Sequence, residues 1–197
     1  MDVLYLIDSS IDTRSLPRLQ HYFPEGTIVQ DVMAGETQLL LYRVASGEEP
    51  VIPVQHPVAA QLGDQATLLG FDLDAESYAP GESINLTLYW WVEKEFSENY
   101  TIFTHLVGSI NPVTGTPIWG QHDSQPGGGS YPTSVWQEGE IIIDSYQIPI
   151  QGDAPAGEYR LEVGMYLLET GQRLPIIGSQ EEVFQDSLPL ITIRVED

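Results

Sequence analysis

The sequence predicts a mainly β fold, an antiparallel sandwich preceded by a small α/β unit, and three observations carry that expectation. The first is Asp153-Ala-Pro-Ala-Gly-Glu-Tyr-Arg-Leu-Glu-Val-Gly-Met-Tyr166, a Pro/Gly turn feeding a strand of period two. In it Tyr159, Leu161, Val163 and Met165 share one face, while Arg160, Glu162 and Gly164 share the other. The second is the same grammar at Ala79-Pro-Gly-Glu-Ser-Ile-Asn-Leu-Thr-Leu-Tyr-Trp90, where Ile84, Leu86, Leu88 and Trp90 alternate with Asn85, Thr87 and Tyr89. The third is recurrence: strand segments separated by turn chemistry fall at about 66–74, 82–92, 99–108, 117–122, 140–149, 157–168 and 188–195.

Taken from the N-terminus, Val3-Leu-Tyr-Leu-Ile7 is a continuous apolar run, the pattern of a strand covered on both faces. Asp8-Ser-Ser10 and Ser15 offer helix-capping oxygens before Leu16-Pro-Arg-Leu-Gln-His-Tyr22, with Pro17 in the first turn and Pro24-Glu-Gly26 as the stop. Thr27 to Met33 and Thr37 to Val44 then read as a hairpin around Ala34-Gly-Glu36. Residues 1–45 are thus expected to form a strand–helix–hairpin unit too small to bury its own apolar area, and the early strand after Met1 suits a piece of something longer. Residues 46–57, with prolines at 50, 53 and 57, are the expected linker, and residues 58–197 the sandwich.

Seven strands at this spacing suit an immunoglobulin-like sandwich, with a jelly roll as the other possibility. Tyr159, just past a Gly-containing turn at the start of a late strand, stands where the tyrosine corner of such sandwiches sits; an ordinary core tyrosine is the alternative. The last strand alternates Ile191, Ile193 and Val195 with Thr192, Arg194 and Glu196.

Composition excludes several functions. The formal charge is −22, from seven Lys and Arg against 29 Asp and Glu, which repels nucleic acid and anionic headgroups at close range. There is no cysteine, so disulfides, thiolate metal sites and cysteine nucleophiles are out. No window approaches the roughly 20 apolar residues of a membrane span, and the N-terminus lacks the basic flank of a signal peptide, so a soluble chain without direct membrane insertion is expected.

The longest irregular stretch, Ser109 to Gly139, is the one concentrated candidate for a site. It carries Trp119, His122, Asp123, Tyr131 and Trp136, the candidate ligand-binding residues, with Gly127-Gly-Gly129 and Glu138 alongside and Glu140 just beyond. Aromatic rings beside amides and carboxylates can stack on sugar C–H faces and bond hydroxyls. The same rings can instead fold back as a mini-core that pins the loop, because large aromatics are usually buried and glycines permit close backbone packing.

His105, His122 and Asp123 supply donors for a two-histidine, one-carboxylate metal site, but their spacing matches no zinc signature. Asp72-Leu-Asp74-Ala-Glu76 offers three alternating carboxylates without the glycine and distal glutamate of a calcium loop. Serine-nucleophile elbows and phosphate-cradling loops are absent, and Glu138 and Glu140, two apart, point the same way rather than across a cleft. No catalytic residue, metal or cofactor is therefore expected.

Several short words read together: Leu69-Gly-Phe-Asp-Leu73, Leu86-Thr-Leu-Tyr-Trp90, Phe103-Thr-His-Leu106, Gln121-His-Asp123, Tyr131-Pro-Thr-Ser-Val-Trp136, Ala154-Pro-Ala-Gly-Glu-Tyr159 and Val163-Gly-Met-Tyr166. Their combination over about residues 58–197 resembles the C-terminal β-sandwich region of bacterial membrane glycosyltransferases of the dolichyl-phosphate-mannose protein mannosyltransferase type. Tyr22-Phe-Pro24 and Leu40-Leu-Tyr-Arg-Val44 resemble the short α/β segment that follows the last membrane helix there. The resemblance implies a non-catalytic appendage on the outer face of the cytoplasmic membrane, held there by the membrane-embedded part of the same parent protein. It also implies a glycan or protein acceptor as partner. The alternative is a purely structural or protein-interaction sandwich with no small-molecule ligand.

Overall fold

The computed structural model describes residues 3–8, 25–34, 37–44, 54–177 and 186–196. The chain divides into two compact units, Met1–Pro53 and Val54–Asp197.

In the first unit β1 (Val3–Asp8), β2 (Thr27–Ala34) and β3 (Thr37–Val44) form an antiparallel sheet in the order β1-β3-β2. β2 and β3 make the expected hairpin, running from Ala34 opposite Thr37 to Thr27 opposite Arg43 with an irregularity between Ile28 and Gln30. Leu40, Tyr42 and Val44 are buried along one face of the central strand. The helix expected over 16–22, which would make this unit α/β, lies outside the described residues.

The second unit is an antiparallel β-sandwich. Its strands are β4 (His56–Leu62), β5 (Ala66–Leu73), β6 (Ser77–Tyr78), β7 (Ser83–Val92), β8 (Tyr100–Val107), β9 (Ile118–Ser124), β10 (Ile141–Pro149), β11 (Gly157–Leu167), β12 (Ile176–Ile177) and β13 (Leu188–Val195). One sheet runs β10-β7-β5-β4-β12 and the other β6-β13-β11-β8-β9, every pairing being antiparallel except β6 with β13. The Greek-key placement, with β5-β7-β10 facing β9-β8-β11-β13, is the immunoglobulin-like arrangement. All seven expected strands are present.

β4 corrects the sequence expectation, because His56 and Pro57 belong to a strand rather than to a linker. The register slips between Pro57 and Ala60, and Ala59 bulges out with φ of 59°. That bulge and the proline hide the period-two pattern that reveals the other strands.

The core is the inner face of both sheets. Ile84, Leu86, Leu88 and Trp90 of β7 meet Tyr159, Leu161, Val163 and Met165 of β11, all at most 4% exposed, as their alternation requires. Tyr159 does form the corner: its hydroxyl donates to the Pro155 carbonyl at 2.7 Å. Gly108 makes room for the ring, since a Cβ there would lie 2.6 Å from Tyr159 Cδ1.

Along one side the two sheets are stitched together. Gln151 N–H donates to the Trp119 carbonyl at 2.8 Å, and Gly120 bridges to Ile150. A Cβ at Gly120 would sit 2.8 Å from the Pro149 carbonyl oxygen, so β9 can approach β10 this closely only with glycine at that point.

Candidate functional site

The five candidate residues occupy β9 and the loop from Gln125 to Glu140, where two single 3-10 turns, Pro126–Gly129 and Thr133–Val135, lead into β10. Strand alternation decides what each can do. Trp119 faces the core at 3% exposure, packs edge-on against Tyr159 with ring centroids 6.3 Å apart, and donates its indole N–H to the Ser109 carbonyl at 2.7 Å. Trp136 is 1% exposed, meets Phe96 edge-on at 5.5 Å and donates to the Tyr131 carbonyl at 3.1 Å. Neither indole presents a face on which a sugar could stack. They pin the loop, the second of the two roles open to them from sequence.

Thr133 reinforces that anchorage. Fully buried, it donates its hydroxyl to the Glu98 carbonyl at 2.7 Å and accepts the Tyr100 N–H at 2.9 Å. Tyr131 alone among the three loop aromatics is exposed, at 37%, and its hydroxyl donates to Glu140 Oε1 at 2.7 Å. Partial burial and then the Glu140 carboxylate push its phenol up to about 12.

His122 and Asp123 are adjacent strand residues and point to opposite faces. The His122 ring turns inward, edge-on to Tyr146 at 5.5 Å, with Nδ1 donating to the Gln147 carbonyl at 3.0 Å. Asp123 turns outward, where Oδ1 lies 3.1 Å from His105 Nε2 and Oδ2 accepts the Tyr166 hydroxyl at 3.2 Å. The two-histidine, one-carboxylate combination is therefore not assembled. Among the described residues no three His, Asp or Glu side chains are grouped to hold a metal ion.

The carboxylates at the end of β5 are likewise occupied by the fold. Asp72 accepts the Gln55 N–H and the Tyr89 hydroxyl, each at 2.7 Å. Asp74 accepts the Tyr78 hydroxyl at 2.6 Å and both the backbone and side-chain N–H groups of Asn85, at 3.0 and 2.6 Å. Burial raises the Asp74 carboxyl, but these bonds together outweigh it and hold the group below its ordinary value.

Asp144 is the polar residue that the sequence analysis did not single out. It lies on the core face of β10, between Ile142 and Tyr146, and is 2% exposed. One oxygen accepts the Gly127 N–H at 2.9 Å and the other the Tyr146 hydroxyl at 2.5 Å. Burial raises its pKa, partly offset by those two bonds and by His122 nearby, while burial and the Asp144 charge push the Tyr146 phenol well above its usual range. The signal was present in Ile142, Asp144, Tyr146 and Ile148: a lone carboxylate in an otherwise apolar alternating row.

Comparison of the sequence with protein-family models and with curated proteins finds no match.

Proposed function

We propose that the chain is a non-catalytic accessory module of a membrane glycosyltransferase-like protein, working on the outer side of the cytoplasmic membrane. The observation that carries the non-catalytic part is the engagement of the groups that could do chemistry. Trp119, Trp136, Thr133, Asp123 and Asp144 each have their hydrogen-bonding atoms occupied by another part of the sandwich. The motif words quoted above support the parentage. An acceptor, glycan or protein, would meet the accessible part of the loop, Tyr131 with Glu140 and the glycine turn at 127–129.

Calorimetric titration of the chain with neutral and acidic envelope oligosaccharides tests the acceptor contact. Binding that is lost in Tyr131→Ala and kept in a variant at the far end of the sandwich is expected. A second reading, a bracing or assembly domain with no small-molecule ligand, is favoured by the burial of both loop indoles. It expects flat titrations, and deletion of residues 54–197 from the parent would then lower its abundance while the activity per molecule is retained.

A further inference from the structure

The glycine turn of the loop between β9 and β10 is fastened to the sandwich at a single point, and that point is a buried ionisable group. Gly127, Gly128, Gly129 and Ser130 are all exposed. Most of their hydrogen bonds stay within the turn: Gly129 N–H donates to the Gln125 carbonyl at 2.9 Å, Ser130 N–H to the Gly127 carbonyl at 3.2 Å, and the Ser130 hydroxyl to that same carbonyl at 2.7 Å. Among the described residues, the 2.9 Å bond from Gly127 N–H to Asp144 Oδ1 is the one hydrogen bond that joins 127–130 to anything outside 125–131. A Cβ at Gly128 or Gly129 would meet nothing within 4 Å, so packing does not hold the turn on that side. On either flank the chain is anchored, by buried Pro126 and by buried Thr133 and Trp136. Between those anchors three glycines with positive φ supply the backbone freedom of a hinge.

Asp144 is held without a bonded cation. β10 packs against β7, β8, β9 and the turn. On β10 itself Tyr146 donates to Oδ2 at 2.5 Å. On β9, His122 is near enough to favour the ionised carboxylate, although its Nδ1 is engaged by the Gln147 carbonyl at 3.0 Å, and Asp123 acts only on the Tyr146 phenol. The core rows of β7 (Leu86, Leu88, Trp90) and β8 (Ile102, Thr104, Leu106) carry no ionisable side chain. Ionisation strengthens the two bonds that Asp144 accepts, but at 2% exposure the charge is removed from water, and that desolvation is the larger effect. A neutral acid suits the closed turn. A charged one is relieved once water reaches it, and for that the turn has only to lift off its single bond while the sandwich stays folded.

We infer that the turn 127–130 is a proton-controlled latch, closed on Asp144 while that carboxyl is neutral and released as it ionises. The closed state binds the proton more tightly than the released state, in which the carboxyl is solvated. Closure is therefore most favoured below the ordinary aspartate value of about 4 and is lost as pH rises through the closed-state value. Across that window the opening constant grows by up to about tenfold per pH unit, then levels off. Release changes the surface beside Tyr131, the accessible aromatic of this loop, and leaves Trp136 in the core. The inference concerns the turn itself and does not rest on the accessory-module reading.

The test is amide hydrogen exchange by NMR on the 197-residue chain between about pH 4 and pH 8, with each rate divided by that of an unstructured chain so that base catalysis of exchange drops out. The opening constant of Gly127 is expected to rise with pH and then level off, while that of the Trp136 backbone N–H, bonded to the Thr133 carbonyl at 3.0 Å, stays level. In the wild type the Asp144 carboxyl carbon and the Gly127 amide should shift with one shared midpoint, a measurement that needs no variant. Asp144→Asn keeps an acceptor for Gly127 and cannot ionise, so its Gly127 profile should be flat. A flat profile in the wild type, an equal rise in Asp144→Asn, a parallel rise at Trp136, or two separate midpoints would each overturn the inference.

Discussion

The Gly127 backbone N–H donates to Asp144 Oδ1 across 2.9 Å, tying the glycine turn of the loop to a carboxylate buried on the core face of β10. Gly127, Gly128 and Gly129 all have positive φ, so the turn reaches this carboxylate through backbone conformations that other residues resist. Replacing Asp144 by alanine leaves Gly127 N–H and the Tyr146 hydroxyl without their acceptor. The expected loss is about 2–4 kcal/mol of unfolding free energy, measured by urea denaturation.

Asp144 also sets a pH dependence whose sign differs from that of most carboxylates. Its folded pKa is raised, by burial first, so the native state holds the proton more tightly than the unfolded chain. Its contribution to stability is full below the unfolded value of about 4 and is lost as pH rises through the folded value. Asp144→Asn removes that dependence. Relative to wild type, the variant is expected to be more favourable at pH 7 than at pH 4, and equal differences at both would contradict the assignment. Asp74, whose pKa is lowered, has the opposite sign: its contribution is present above the unfolded value and lost as pH falls, and Asp74→Asn should abolish that part of the acid destabilisation.

Tyr159→Phe keeps the ring and deletes only the bond to the Pro155 carbonyl. A loss of about 0.5–1.5 kcal/mol is expected by thermal or chemical denaturation. Gly108→Ala drives a methyl group into the same ring from the other side and is expected to cost about 1–3 kcal/mol, as overpacking of a filled core does. No loss in either variant would mean that the corner does not hold the turn.

Much of this architecture was legible because period two is a direct record of which face is buried. The rows through Ile84 and through Tyr159 named their own core residues, and the Gly-Glu-Tyr turn pointed to the corner. β4 escaped because its bulge at Ala59 breaks the period and Pro57 reads as a linker residue. The loop was harder for a different reason. An aromatic in an irregular segment carries no periodicity to say which way it faces, so Trp136 admitted both a surface and a core role. Trp119 lies on β9 with His122 and Asp123, where adjacency sends the last two to opposite faces. Asp144 was visible as a carboxylate in an apolar row, yet its partner Gly127 is 17 residues away and only the folded loop brings the two together.

The central claim is that Trp119 and Trp136 are structural anchors rather than a stacking surface, and it predicts a large penalty for removing either. Trp136→Ala is expected to cost about 3–5 kcal/mol, in the range for deleting a buried large aromatic, with unfolding monitored by circular dichroism. Tyr131→Ala, at 37% exposure, should cost far less.

Hydrogen exchange of the indole N–H groups tests that claim most directly. With Trp119 bonded to the Ser109 carbonyl and Trp136 to the Tyr131 carbonyl, both protons should be strongly protected from exchange. Exchange of either at the rate of an exposed tryptophan would contradict the account.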